Sequence, residues 1–166
     1  MIERDYQQTH AVPTVPSYLP GTAIEIVRTD RPARPPAHAL FDFDGTLSLI
    51  REGWMEIMIP MLTRHLLPYA QPGETEDSIT ALVRDFVTTL TGKQTIYQMI
   101  RLAEEIRLRG GTPLAPLDYK AEYHDLLMAR IDARRRGLAD GTLSRDALLV
   151  PGSLDILAGL HERGVA

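Results

Sequence analysis

Apolar residues recur at helical spacing through the middle of the chain and without that spacing on either side of it. Trp54, Ile57, Met58, Met61, Leu62 and Leu66 form a first stripe, with Pro68 marking its end. Ile79, Leu82, Val83, Phe86, Val87 and Leu90 form a second, stopped by Gly92. Ile96, Met99, Ile100 and Ala103 open a third that ends near Gly110-Gly111. Tyr119, Tyr123, Leu126, Leu127 and Ile131 mark a fourth, running toward Gly137. The period predicts amphipathic helices from Glu52 to about Asp140 whose apolar faces share one core. Leu148-Leu149-Val150-Pro151-Gly152 then leads into a shorter predicted helix, Ser153–Arg163, with Leu154, Leu157 and Leu160 on one side and Gly164 closing it.

The flanks read differently. Residues 1–37 carry Pro13, Pro16, Pro20, Pro32, Pro35 and Pro36, which predicts an irregular lead-in. Within it, the β-branched alternation of Ala23-Ile24-Glu25-Ile26-Val27 predicts an edge strand or hairpin arm. Ala39-Leu40-Phe41 is short and apolar, as expected of a strand buried on both faces. Val165-Ala166 resembles the start of another buried strand.

Composition narrows the class. A chain of 166 residues with 44% hydrophobic content has room for one full domain, or for a core plus a partial one. No apolar run approaches the length of a membrane span, and Met1-Ile2-Glu3-Arg4-Asp5 lacks the basic-then-apolar order of a secretory signal. There is no cysteine, so disulfides and thiolate zinc sites are excluded, and a reducing cytoplasm is the expected compartment. A net charge of -4 supplies no electrostatic argument for nucleic acid. Positive charge rests on sixteen arginines and two lysines, Lys93 and Lys120.

Candidate chemistry sits where the short apolar run stops. Asp42 and Asp44 lie two residues apart and are followed by Gly45-Thr46. Side chains two apart on an extended segment project to the same side, so the two carboxylates are expected to face one reacting centre. They repel unless a cation or shared proton relieves them, which asks for a metal or for acid/base chemistry. Gly45 permits a sharp turn that leaves amides free for an anion, and the Thr46 hydroxyl suits a phosphoryl oxygen. Phosphoryl transfer through an aspartyl-phosphate is the reaction these groups fit best, with Mg²⁺ screening the approach of carboxylate to phosphate. A calcium loop fits worse: counted from Asp42, its twelfth position is Gly53 and its glycine comes too early. A strand-to-turn junction with two capping aspartates is the structural alternative.

Phe41-Asp42-Phe43-Asp44-Gly45-Thr46-Leu47-Ser48 resembles the first motif of the haloacid-dehalogenase-like (HAD) hydrolase superfamily. The resemblance implies Asp42 as nucleophile, Asp44 as general acid/base, and Mg²⁺ bound by the Asp42 carboxylate and the Asp44 main-chain carbonyl. It implies an α/β fold: a partial Rossmann-like HAD core over 38–51 and 147–166, with an inserted α-helical cap over 52–146. The Pro151-Gly152 return resembles phosphoglycolate-phosphatase-like members. Lys93, in Thr91-Gly92-Lys93-Gln94-Thr95, falls where relatives carry a substrate-specificity loop. A Ser/Thr after a second strand, a charge-screening Lys or Arg and a late acidic metal motif, which the superfamily requires, are not matched. The 166 residues are therefore expected to be the amino-terminal part of such an enzyme, lacking normal turnover alone.

The expected function is hydrolysis of a small phosphorylated metabolite, with no nucleic-acid or membrane partner. Phosphomutase of the same superfamily and a non-catalytic interaction module are the alternatives. His10, His38, His65, His124 and His161 show no paired metal spacing, and Arg134-Arg135-Arg136 reads as a solvated helix end.

Overall fold

A computed structural model describes residues 15–26, 34 and 36–166. Five α-helices follow in order: α1 Trp54–Leu66, α2 Glu76–Thr89, α3 Ile96–Leu108, α4 Pro116–Asp140 and α5 Ser153–Glu162. The chain divides into two compact units, one of Leu40–Gly159 and one of Leu160–Ala166 with the described residues before Leu40. None of the helices is long and apolar enough to cross a membrane.

In the larger unit several helix ends have a visible local reason. Gly53, in the left-handed region at φ 79°, turns the chain into α1. Thr75 and Ser78 form a reciprocal capping box at the start of α2, where Glu76 and Asp77 also suit the helix dipole. Pro116 occupies the first turn of α4, where its missing N–H costs nothing, and Gly141 at φ 78° closes the helix. α1 packs against α2, α3 and α4. Leu62 and Leu66 of α1 meet Ile79, Val83 and Val87 of α2, Met99 and Leu102 of α3, and Tyr119, Tyr123 and Leu127 of α4 in one buried cluster. The apolar positions that predict these helices are largely the positions that fill the core. α4 contributes Tyr119, Tyr123 and Leu127 of its first half to the core, with Ile131 packed against it and Gly137 buried farther along.

An ion network ties the loop before α2 to α3. Arg109, nine-tenths buried, donates to Glu74 Oε1 at 2.8 Å and Oε2 at 3.3 Å, and also to Glu105, which Arg101 holds as well. The hydrogen bond from Arg109, with one from the Gln71 amide, holds the Glu74 carboxyl below its ordinary range. A depressed folded-state value means the stabilisation is fully present above the unfolded value, about 4.3, and is lost as pH falls through the folded one. The stability difference between wild type and Glu74→Gln is therefore expected to be constant from neutrality to about pH 5 and to shrink below that. Urea midpoints taken at descending pH check it; a difference that persists unchanged at about pH 3 would contradict it.

The expected α/β core is not what forms. Among the described residues there is no sheet, only isolated bridges: Tyr18 with Glu25, Asp44 with Ser48, and Ser48 with Leu149. The predicted strand Ala39-Leu40-Phe41 fails on burial, because Leu40 is 102% exposed and Phe43 is exposed as well. A strand covered on both faces needs neighbours to cover it. In the smaller unit the Ala166 amide donates to the Ala37 carbonyl at 3.0 Å and its carbonyl accepts from the Ala39 amide at 2.8 Å. This is one parallel pairing and not a strand. The first strand of a Rossmann-like core is thus replaced by exposed, irregular chain, and the described fold is helical.

Two smaller expectations also change or narrow. α5 forms, yet Leu154, Ile156 and Leu157 are exposed. The arm at Ala23–Ile26 is half of a short hairpin: the Leu19 amide donates to the Ile24 carbonyl at 2.9 Å and the Ile26 amide to the Ser17 carbonyl at 2.6 Å. Gly21, at φ 76°, takes the turn. Val27 and most of the proline-marked lead-in lie outside the described residues.

Candidate active site

The segment after Phe41 is a compact turn. The Phe43 carbonyl accepts from the amides of Thr46, Leu47 and Ser48 at 3.4, 3.0 and 2.9 Å, and the Gly45 amide donates to the Ser48 carbonyl at 2.8 Å. Gly45 sits at φ 76°, which a side-chain-bearing residue rarely adopts. The amides expected to be free for an anion are therefore engaged within the turn itself. Ser48 is buried and bridges to Leu149, with the Leu49 amide donating to the Leu148 carbonyl at 2.9 Å and the Val150 amide to the Leu47 carbonyl at 3.1 Å.

Arginines of α4 hold the chain between this turn and α1. Arg134 Nη1 reaches the carbonyls of Leu49, Ile50 and Glu52 at 3.2, 2.7 and 2.9 Å. Arg130 Nη1 donates to the Gly53 carbonyl at 2.7 Å and to Glu56 Oε2 at 3.2 Å. A Cβ on Gly53 would meet the movable ends of Arg130 and Glu56, so it is the positive φ that calls for glycine here. Arg134 is thus an anchor, correcting the expectation of a solvated helix end. Arg135 and Arg136 are exposed and, among the described residues, hydrogen-bond within their own helix, to Asp132.

Two neighbouring cavities open beside the turn, both within the larger unit. One, of about 290 Å³, lies among Asp44, Gly45, Ser48, Arg51, Gly53 and Trp54. The other, of about 150 Å³, is walled by Asp44, Arg51, Trp54, Lys93, Gln98 and Tyr123, among others. Arg51 Nη1 donates to Asp44 Oδ2 at 2.7 Å, and the two side chains are 45% and 40% exposed. Burial pushes the Tyr123 hydroxyl above its ordinary pKa, while the positive charge of nearby Arg51 works in the opposite direction. Gln98 is 3% exposed; its Nε2 donates to the Leu90 carbonyl at 3.2 Å, and its Oε1 has no partner among the described residues.

The residues singled out in the sequence are distributed unevenly around these cavities. Asp44 lines both, Gly45 one and Lys93 the other. Asp42 and Thr46 are exposed and line neither; Asp42 Oδ1 accepts from the Phe43 amide at 2.8 Å. Because the chain turns at Phe43–Asp44 instead of continuing extended, the same-face argument for the two carboxylates does not carry over. Arg51, Tyr123 and Gln98 are additions. Tyr123 was legible only as a core position, and the one hint of Arg51 is its place just beyond the Asp-x-Asp turn.

For a divalent cation, the Asp42 carboxylate and the Asp44 main-chain carbonyl are hard oxygen donors of the kind Mg²⁺ prefers, and Mg²⁺ commonly keeps several waters. No group of three or more His, Asp or Glu suited to a metal occurs among the described residues, so these donors would supply part of a coordination sphere. His65 is placed away from such a role, with Nε2 2.7 Å from Glu122 Oε2 and its ring edge-on to Tyr119. Comparison of the chain with protein-family models, with curated proteins and with solved structures finds no match in any of the three.

Proposed function

We propose that the chain carries the nucleophile and the general acid/base of a HAD-like phosphoryl-transfer site acting on a small phosphomonoester. The observation that carries the proposal is the meeting of Asp44 with Arg51 and Lys93 around one small cavity. Lys93 comes to that wall from the loop between α2 and α3, remote in sequence from the Asp-x-Asp turn. A cavity wall carrying a carboxylate and two cations is suited to a phosphate ester and its leaving group. The octet Phe41–Ser48 supplies the rest of the reading through its resemblance to the first HAD motif.

In the proposed reaction an Asp42 carboxylate oxygen attacks phosphorus and the ester P–O bond breaks. Asp44 gives its proton to the departing oxygen. Water then attacks the phosphorus of the acyl phosphate and loses a proton to Asp44, releasing inorganic phosphate and restoring Asp42. Mg²⁺, held by the Asp42 carboxylate and the Asp44 carbonyl, would screen the negative charge that separates nucleophile from phosphate. Lys93 binds the part of the substrate farthest from the reacting phosphorus. A phosphorylated metabolite of the reducing cytoplasm is the proposed substrate class, in keeping with a chain that contains no cysteine.

The test is covalent labelling. With acetyl phosphate and Mg²⁺, wild-type protein is expected to gain one phosphoryl group at Asp42 that neutral hydroxylamine removes, and Asp42→Asn to gain none above background. Equal labelling of both proteins, or label on another residue, rejects the assignment. A second reading, a non-catalytic helical interaction module, is favoured by the absence of a sheet among the described residues. It predicts no labelling of either protein.

A further inference from the structure

Arg51 has the features of a phosphate ligand stored on a carboxylate. Its guanidinium borders both cavities, pairs with Asp44 through Nη1 at 2.7 Å, and shares the wall of the smaller cavity with buried Tyr123. A guanidinium offers five donors in a planar fork that matches phosphate oxygens two at a time, so a single contact to Asp44 leaves its capacity largely unused. A phosphomonoester carries roughly −1.5 to −2 charge near neutrality, against −1 for the carboxylate. The pair is also nearly half exposed, where an ion pair is weak and readily exchanged. Arg51 belongs to the short segment between the Asp44 turn and α1, whose main chain is fixed by Arg134 and Arg130. Its side chain can therefore change partner without moving the backbone.

We propose that Arg51 is a positioning residue for the phosphoryl group, and that Asp44 and the ligand's phosphate compete for its one guanidinium. Arrival of the phosphate draws Arg51 off Asp44. That step clamps the phosphoryl oxygens and leaves Asp44 without its ion-pair partner. The small cavity holding Lys93, about 150 Å³, then takes the remainder of the ester. Pockets for drug-sized ligands run to roughly 300–1,000 Å³, so that remainder is a few carbons. The inference rests on the phosphoryl-transfer reading and adds an element to it, a substrate-released cation.

Competition gives a signature that simple charge attraction lacks. Inorganic phosphate, titrated by calorimetry at fixed ionic strength, is the probe. Arg51→Met is expected to weaken its binding at least tenfold, in line with the loss of a charged hydrogen-bond donor. Asp44→Asn is expected to tighten binding about two- to fivefold, the range an exposed ion pair supports. The double variant is expected to bind as Arg51→Met alone, since no guanidinium remains to compete for. Arg51→Lys, which keeps charge but not the fork, is expected to fall between wild type and Arg51→Met. Unchanged or weaker binding in Asp44→Asn overturns the proposal, as does a double variant that gains as much as the single. Should Arg51→Met fold poorly by circular dichroism, the Asp44→Asn and Arg51→Lys arms still decide it. The two readings fail separately: competition without labelling of Asp42 rejects the enzymatic mechanism alone, and labelling without competition rejects the role of Arg51 alone.

Discussion

Leu62→Ala is expected to lower the free energy of unfolding by about 3–5 kcal/mol, the upper part of the range for removing a buried leucine. Leu62 is 0% exposed and sits on α1, the helix that touches the other three of the bundle. Truncation removes burial and leaves a void that residues from several helices must collapse to fill. Small domains are held by about 5–15 kcal/mol in total, so this one change consumes a large share. The informative control is Leu40→Ala, a residue of the same type that was expected in a buried strand and is fully exposed. It is expected to change stability by no more than about 0.5 kcal/mol. Chemical denaturation with matched slopes measures both. A cost for Leu40→Ala approaching that of Leu62→Ala would show that Leu40 is covered after all and would reopen the fold.

Arg134→Met is expected to cost about 2–3 kcal/mol and to loosen the Asp44 turn selectively. One guanidinium nitrogen serves three carbonyls, Leu49, Ile50 and Glu52, in a segment without regular structure. Hydrogen bonds to a charged partner contribute roughly 1.5–3 kcal/mol, and partly buried carbonyls left without a donor add to the loss. Methionine keeps much of the apolar stem, so the change isolates the donor from the packing. Amide exchange at Leu49 and Val150, whose N–H groups hold the bridge between the turn and the segment before α5, is expected to quicken, while exchange in α2 and α3 stays as in wild type. Arg135→Met is the comparison, because Arg135 is exposed and its hydrogen bond among the described residues is to Asp132 on its own helix, at 3.4 Å. Equal effects of the two substitutions would remove Arg134 from the support of the site.

The helical bundle was legible because its stripes are long. In α1 to α3 a period of 3.6 is sampled over three or more turns, and the stops at Pro68, Gly92 and Gly110-Gly111 have local causes that tertiary structure rarely overrides. Ala39-Leu40-Phe41 offered three apolar residues and no period. Whether such a run is covered depends on neighbours that its own residues do not specify. The same limit applies to α5, whose leucines gave a clear face without saying what lies against it.

Within the candidate site, the Asp-x-Asp-Gly pattern announced a turn, and a turn is there. Its internal bonding was hidden, because whether the Gly45 and Thr46 amides point to an anion or back to Ser48 and Phe43 is a matter of dihedral angles. Arg134 and Lys93 illustrate the complementary difficulty. One was masked by two arginines beside it that do face solvent, and the place of the other depends on how the α2–α3 loop lies against Asp44.

α4 is one unbroken helix of 25 residues, about 37 Å from end to end at 1.5 Å per residue. Its first half is gripped by the core through Tyr119, Tyr123 and Leu127, and its second half grips the site through Arg130 and Arg134. The helix therefore works as a lever with its fulcrum in the core. A small change of tilt where the tyrosines pack is magnified along the rod before it reaches the carbonyls that Arg134 holds. Remodelling of the core around Tyr119 is thus a route to altered geometry at Asp44 without a single substitution in the cavity wall.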